Sequence, residues 1–160
     1  MASGSGAGAG APARSRMEPP IGAESGPFWE ATRTGTLLLQ WCTACEKAIF
    51  YPRSFCPGCG GSESGPDPVL EWRTASGRAT VYAAGVEHNP AATGSTFSGG
   101  EPYAVALVEL EEGVRMLTNV IGCPPDQVKV GLAVTVTWEP LSDGRQLPLF
   151  TPTAGTTGAR

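Results

Sequence analysis

Residues 42–59 read CTACEKAIFYPRSFCPGC and hold four of the chain's five cysteines. They form two C-x-x-C pairs, Cys42 with Cys45 and Cys56 with Cys59, ten residues apart. A C-x-x-C knuckle aims two sulfurs at one centre, and two knuckles on a short hairpin complete a tetrahedral four-sulfur site. Thiolates in that geometry favour zinc or iron over hard cations. Gly58 and Gly60 supply backbone freedom around the second pair, and Pro57 fits inside it. One Zn(2+) per chain is expected. Rubredoxin-type iron, disulfides and free thiols are the alternatives. A catalytic zinc keeps an open fourth position for water, whereas four cysteines close the shell. The metal is therefore expected to be structural and to be linked to folding of the ribbon that holds it.

The remaining reactive side chains do not assemble a catalytic set. Cys123, in IGCPPD, has no partner once the metal is satisfied. No local base or low-pKa setting marks it as a nucleophile, so it reads as a small residue at a strand end. His88 is the sole histidine and opens a long loop. It is either incidental there or a contact for a ligand or a partner's active site. Glu111 and Glu112 sit in a turn and read as solvated. There is no phosphate loop, no GxGxxG and no Ser/His/Asp arrangement, so no catalytic residue is assigned.

Composition narrows the partners. The chain has 160 residues, net charge −4, 16% charged residues, 22 glycines and 15 prolines. That length suits one ordinary domain, or a small one with a satellite. Only Lys47 and Lys129 are lysines, and the arginines are scattered. The basic face of a nucleic-acid binder is missing. No apolar run approaches the roughly 20 residues that span a bilayer, so no membrane partner is expected. No secretory signal is visible, and a cytoplasmic location is the default. Paired cysteines in that compartment are more often metal ligands than disulfides.

The elements that must carry these residues follow from the pattern. Residues 1–16 are a Gly/Ala/Ser linker, and 1–26 as a whole read as a flexible leader. The linker is either an added leader before Met17 or a native joint to an upstream domain. Residues 27–36 contain a short helix, with Pro27 at its first position and Gly35 at its stop. Phe28 and Trp29 make a bulky pair on a helix too short to stand alone. Residues 37–67 form the ribbon. Residues 68–152 form a barrel of five or six short strands, from VLEWRTAS through the strictly alternating LAVTVTWEP to QLPLF. PPDQVKVG has room for one helical turn. Residues 87–102 are a long Gly/Ser/Thr/Pro loop, and such loops are usually functional or mobile. Residues 153–160 are a tail. The fold class is mainly β: a short N-terminal helix, a rubredoxin-like zinc ribbon and an OB-fold barrel.

PFWEA, GTLLLQWCTAC, PYAVALVELEEGVRMLTNVIGC and VGLAVTVTWEPL with LPLFTP together resemble a zinc-ribbon/OB-fold family long catalogued as a domain of unknown function. The resemblance covers roughly residues 27–152, and the four ribbon cysteines match. It implies a non-catalytic accessory subunit bound to a thiolase-like, sterol-carrier-type acyl-CoA enzyme. Some members resemble the partner of a steroid side-chain retro-aldolase, which releases a ketone and a shorter acyl-CoA. Others resemble a subunit that channels acyl-CoA, and similar units are fused to a MaoC-like enoyl-CoA hydratase domain. On that basis Phe28, Trp29, His88 and Tyr103 are candidate contacts for partner or ligand. Arg73, Arg78 and Arg115 are candidates for CoA phosphates. An OB-fold nucleic-acid module and a stand-alone enzyme using Cys123 or His88 are the competing readings.

Overall fold

The computed structural model describes residues 18–62, 69–88 and 101–153. The long loop falls mostly on 89–100, outside the described residues, as do the N-terminal linker and most of the tail. One short helix, α1 (Gly26–Thr32), precedes a three-stranded sheet of β1 (Leu38–Cys42), β2 (Lys47–Ile49) and β3 (Leu70–Thr74). Five strands then close a barrel: β4 (Arg78–Glu87), β5 (Tyr103–Leu110), β6 (Arg115–Val120), β7 (Ala133–Pro140) and β8 (Gln146–Pro152). Their order is β4-β5-β6-β8-β7. This is the mainly β zinc-ribbon and OB-fold architecture read from the sequence, with five barrel strands. PPDQ carries a single 3-10 turn at Pro125–Gln127.

The run VLEWRTAS has a different partner from the one expected. It forms β3, but β3 pairs with β1 of the ribbon, Leu38 opposite Thr74 through Cys42 opposite Leu70. Alternation identifies a strand without identifying its neighbour. Only Ala75–Gly77 then separate ribbon sheet from barrel, and each is held. Ala75 N–H donates to Leu37 O at 2.8 Å, Ser76 N–H to Glu112 Oε1 at 2.6 Å, and Val136 N–H to Gly77 O at 2.8 Å.

One apolar core runs through ribbon, helix and barrel. It joins Phe28, Leu37 and Leu39 to Val81, Val108, Val134 and Phe150. Those four barrel residues are at most 1% exposed. Burying such a side chain contributes ~1.5–3 kcal/mol. Barrel strands alternate as their sequence requires: Ala104, Ala106, Val108 and Leu110 of β5 point in. In β7 the alternation is softer, because both faces are covered and only Val134 is fully buried. A bulge between Val81 and Ala83 leaves Tyr82 on the outside, where Arg115 stacks 3.4 Å above its ring.

The helix stops as its sequence predicts. Gly35 adopts φ +67°, a conformation that L side chains resist, and it lies against the Trp138 indole. The segment ahead of the helix is anchored from Glu18 onward, although sequence places it in a leader. Glu18 accepts hydrogen bonds from Ser142 N and Oγ at 2.7 and 2.9 Å. Among the described residues no helix is long and apolar enough to cross a membrane.

Candidate metal centre and junction cleft

β1 delivers Cys42 at its end, and the turn into β2 carries Cys45. Cys56 and Cys59 lie on a second turn, closed by the Phe55–Ser62 bridge. The four Sγ atoms fall within 4.8 Å of one another. Cys42 Sγ lies 3.6 Å from Cys59 Sγ, and Cys56 Sγ lies 3.8 Å from Cys45 Sγ. A tetrahedron with Zn–S bonds of ~2.3 Å has edges of about 3.8 Å, so the set fits zinc without rearrangement. Backbone N–H groups reach two of the sulfurs: Cys45 N–H to Cys42 Sγ at 3.4 Å, and Gly58 N–H to Cys56 Sγ at 3.3 Å. A Cβ at position 58 would stand 3.2 Å from Cys45 Sγ, which explains the glycine.

The thiols titrate unequally. Backbone N–H groups of Cys59 and then Gly58 hold Cys56 down to about 6. Hydrogen bonding to the Cys59 thiol, foremost, pushes Cys45 up to about 12. Burial raises Cys42. Sulfurs this close ionise together only around a cation, which neutralises the mutual repulsion. Cys42 and Cys56 are buried, Cys45 is half-buried and Cys59 is exposed. The shell is complete with protein ligands, as in a structural ribbon with one Zn(2+) per chain.

Gln40 supports the centre, and sequence reasoning placed it only as a strand residue. Its side chain is fully buried. It accepts from Arg53 N–H at 2.7 Å and donates to Arg53 O at 2.9 Å, as a backbone strand would. The amide thus ties the β1 arm, two residues before Cys42, to the second arm, three residues before Cys56.

A cleft of about 360 Å³ lies where helix, ribbon and barrel meet. Trp29, Phe50 and Tyr51 form its aromatic wall, Met116, Leu117 and Leu147 also line it, and Glu24 and Ser25 supply polar atoms. Tyr51 and Leu117 are 55% and 60% exposed. A shallower hollow of about 250 Å³ shares Leu117 and Leu147 and continues along the β6–β8 seam to Val105 and Leu149. The seam is lightly paired: Val120 and Phe150 are the register partners, and Thr118 Oγ1 donates to Pro148 O at 3.2 Å. Ligand pockets of ~300–1,000 Å³ that are mostly apolar and sit at domain junctions are a recurring type.

The sequence-predicted contact residues separate into two places. Phe28 is 5% exposed and belongs to the core, edge-on to Trp29 at 5.0 Å and 5.9 Å from Phe50. Trp29 is half-buried at the cleft. Tyr103 pairs with Glu87 beside the exposed His88, at the opposite end of β5. Ala104 faces Val120 while Val108 faces Met116, so about 13 Å of strand separates that end from the cleft. The three arginines considered for CoA phosphates all have acidic partners. Arg73 pairs with Glu71 and stacks on Trp41, Arg78 grips Glu111 with two nitrogens, and Arg115 pairs with Glu109. A phosphate would have to displace a carboxylate at each. Cys123 is half-buried with its thiol pushed up by burial, the opposite of an activated nucleophile.

Comparison with known proteins places this geometry. Residues 29–64 match the model of the ChsH2 rubredoxin-like zinc ribbon domain, and residues 72–139 match that of the ChsH2 C-terminal OB-fold domain. The chain is 34% identical over 139 residues to a probable enoyl-CoA hydratase alpha subunit of Thermomonospora curvata, covering 86% of this chain and 40% of that one. It is 32% identical over 122 residues to the 3-oxo-4,17-pregnadiene-20-carboxyl-CoA hydratase alpha subunit of Mycobacterium tuberculosis, covering 76% of this chain and 36% of that one. The chain therefore spans about two fifths of the length of these curated relatives. Among solved structures it is similar to a chain of the Ltp2-ChsH2(DUF35) aldolase, with a TM-score of 0.71 and 33% identity over 86% of this chain and 100% of that one. With both the ribbon and the barrel matched, and the four cysteines inside the matched ribbon, the chain belongs to the DUF35 family of ChsH2-type zinc-ribbon and OB-fold proteins.

Proposed function

We propose that this chain is a non-catalytic accessory subunit that binds and supports a thiolase-fold acyl-CoA enzyme. The observation that carries this reading is the match to a chain of the Ltp2-ChsH2(DUF35) aldolase, over 86% of this chain and all of that one. The proposed reaction is that of a steroid side-chain retro-aldolase, which cleaves a β-hydroxyacyl-CoA to a ketosteroid and a short acyl-CoA. The partner subunit supplies base and oxyanion site. This chain supplies a rigid apolar surface, and acyl-CoA lies at the shared interface. Trp29 at the cleft is the proposed contact on one side, and His88 with Tyr103 on the other. Phe28 acts from beneath, as packing for Trp29. The four cysteines hold one zinc that folds the ribbon and takes no part in the chemistry.

The two hydratase alpha subunits among the relatives favour a second partner, a MaoC-like hydratase domain. In that arrangement the chain passes acyl-CoA from hydration to cleavage, which is the channelling form of the same accessory role.

The test is co-expression with a thiolase-fold chain from the same organism. A stable complex is expected on size exclusion, with cleavage activity that neither chain has alone. An isolated chain that turns over an acyl-CoA overturns the proposal.

A further inference from the structure

Among the described residues, Arg145 is the one buried charged side chain, at 5% exposure. A buried charge is tolerated only when its donors are occupied. Arg145 Nε donates to Asp143 Oδ2 at 2.6 Å, and Nη1 donates to Pro19 O at 2.9 Å. Its guanidinium lies 5.0 Å from the centre of the Trp29 ring, within cation–π range. One side chain thus touches three separate parts of the chain: the β7–β8 turn, the strap ahead of the helix, and the helix itself.

The same turn gathers the helix's other anchors. Arg33 Nη1 donates to Asp143 O at 2.6 Å, and Gln146 Nε2 donates to Thr32 O at 3.0 Å. Ser142 holds Glu18. The helix needs this help. It has seven residues and no side-chain cap, and a helix that short does not hold itself in water.

We infer that Arg145 is a positioning residue that sets Trp29, and through it the aromatic wall of the junction cleft. Lysine is no equivalent, because an ammonium cannot fork to two acceptors and stack on an indole at once. The structural half of this inference stands on the contacts alone. Its consequence for function rests on the proposal that the cleft meets the partner enzyme.

The test is 19F NMR of protein labelled with 5-fluorotryptophan, with lines assigned by single Trp→Phe changes. Arg145→Met is expected to shift the Trp29 line, while Trp41 and Trp72 on the ribbon sheet keep theirs. Arg145→Lys is expected to move the Trp29 line the same way by less, and it carries the test if Arg145→Met does not fold. A Trp29 line that stays in place, or all lines moving together, overturns the positioning role. In the complex, Arg145→Met and Trp29→Ala are each expected to weaken affinity about tenfold. An unaffected complex with Trp29→Ala overturns the cleft reading, and leaves the 19F result to decide Arg145 by itself.

Discussion

Gln40 and Glu46 bear on the metal centre without being ligands. Gln40 replaces a missing strand neighbour for Arg53, so removing its amide strands one N–H and one C=O in a partly buried place. Gln40→Ala is expected to cost ~1–3 kcal/mol in denaturant unfolding of the zinc-loaded protein. A loss well under that range means that water substitutes for the amide. Glu46 sits at φ 52°, in the left-handed region, directly after Cys45. Left-handed backbone costs an L residue ~1–2 kcal/mol, and most when it is β-branched. Glu46→Gly is therefore expected to be neutral or stabilising and Glu46→Val destabilising, read by thermal melts. The reverse order would show that the Glu46 side chain, not its backbone, matters. Neither residue announces its role by type. Gln40 meets a partner thirteen positions away, and nothing in LLLQWC marks it among its strand neighbours.

At the scale of elements, ribbon and turn make separate predictions. Chelation of the zinc is expected to raise amide exchange in β1, β2 and the second knuckle, and to leave β5 and β6 protected. The barrel has its own closed ladder and supplies most of the shared core, whereas the ribbon is too small to fold without its metal. Equal loss in both would show that the two fold as one cooperative unit. The β7–β8 turn carries a pH dependence. The Arg145 backbone N–H, above all, holds Asp143 below the ordinary aspartate range. A lowered folded-state pKa stabilises above the ordinary value near pH 4, and that contribution is lost as pH falls through the folded-state value. Asp143→Asn is expected to lower stability at neutral pH and to flatten the acid limb of the stability curve. An unchanged acid limb would contradict this. The cysteine spacing, the helix stop at Gly35 and the β5–β6 hairpin were all legible in the sequence, because each is a local pattern. The placement of β3, the strap anchors and the cleft were not, because they depend on partners distant in sequence: Leu38 with Thr74 for β3, and Pro19 with Arg145 for the strap.

Over the whole molecule, zinc ribbon, helix and barrel share one core and are joined by a three-residue connector hydrogen-bonded at every position. Such a body is suited to presenting a fixed surface. Its two proposed contact regions lie at opposite ends of β5, one at Trp29 and the cleft, the other at Tyr103 and His88. A subunit that works by surface should lose its effect when that surface changes, while its metal and fold remain. The decisive measurement is acyl-CoA cleavage by the proposed complex with a co-expressed thiolase-fold chain, assayed with and without this chain and with Trp29→Ala in its place. Activity should appear only when this chain is present, fall with Trp29→Ala, and do so at unchanged zinc content. Full activity from the thiolase-fold chain alone, or turnover by this chain alone, would contradict the accessory role.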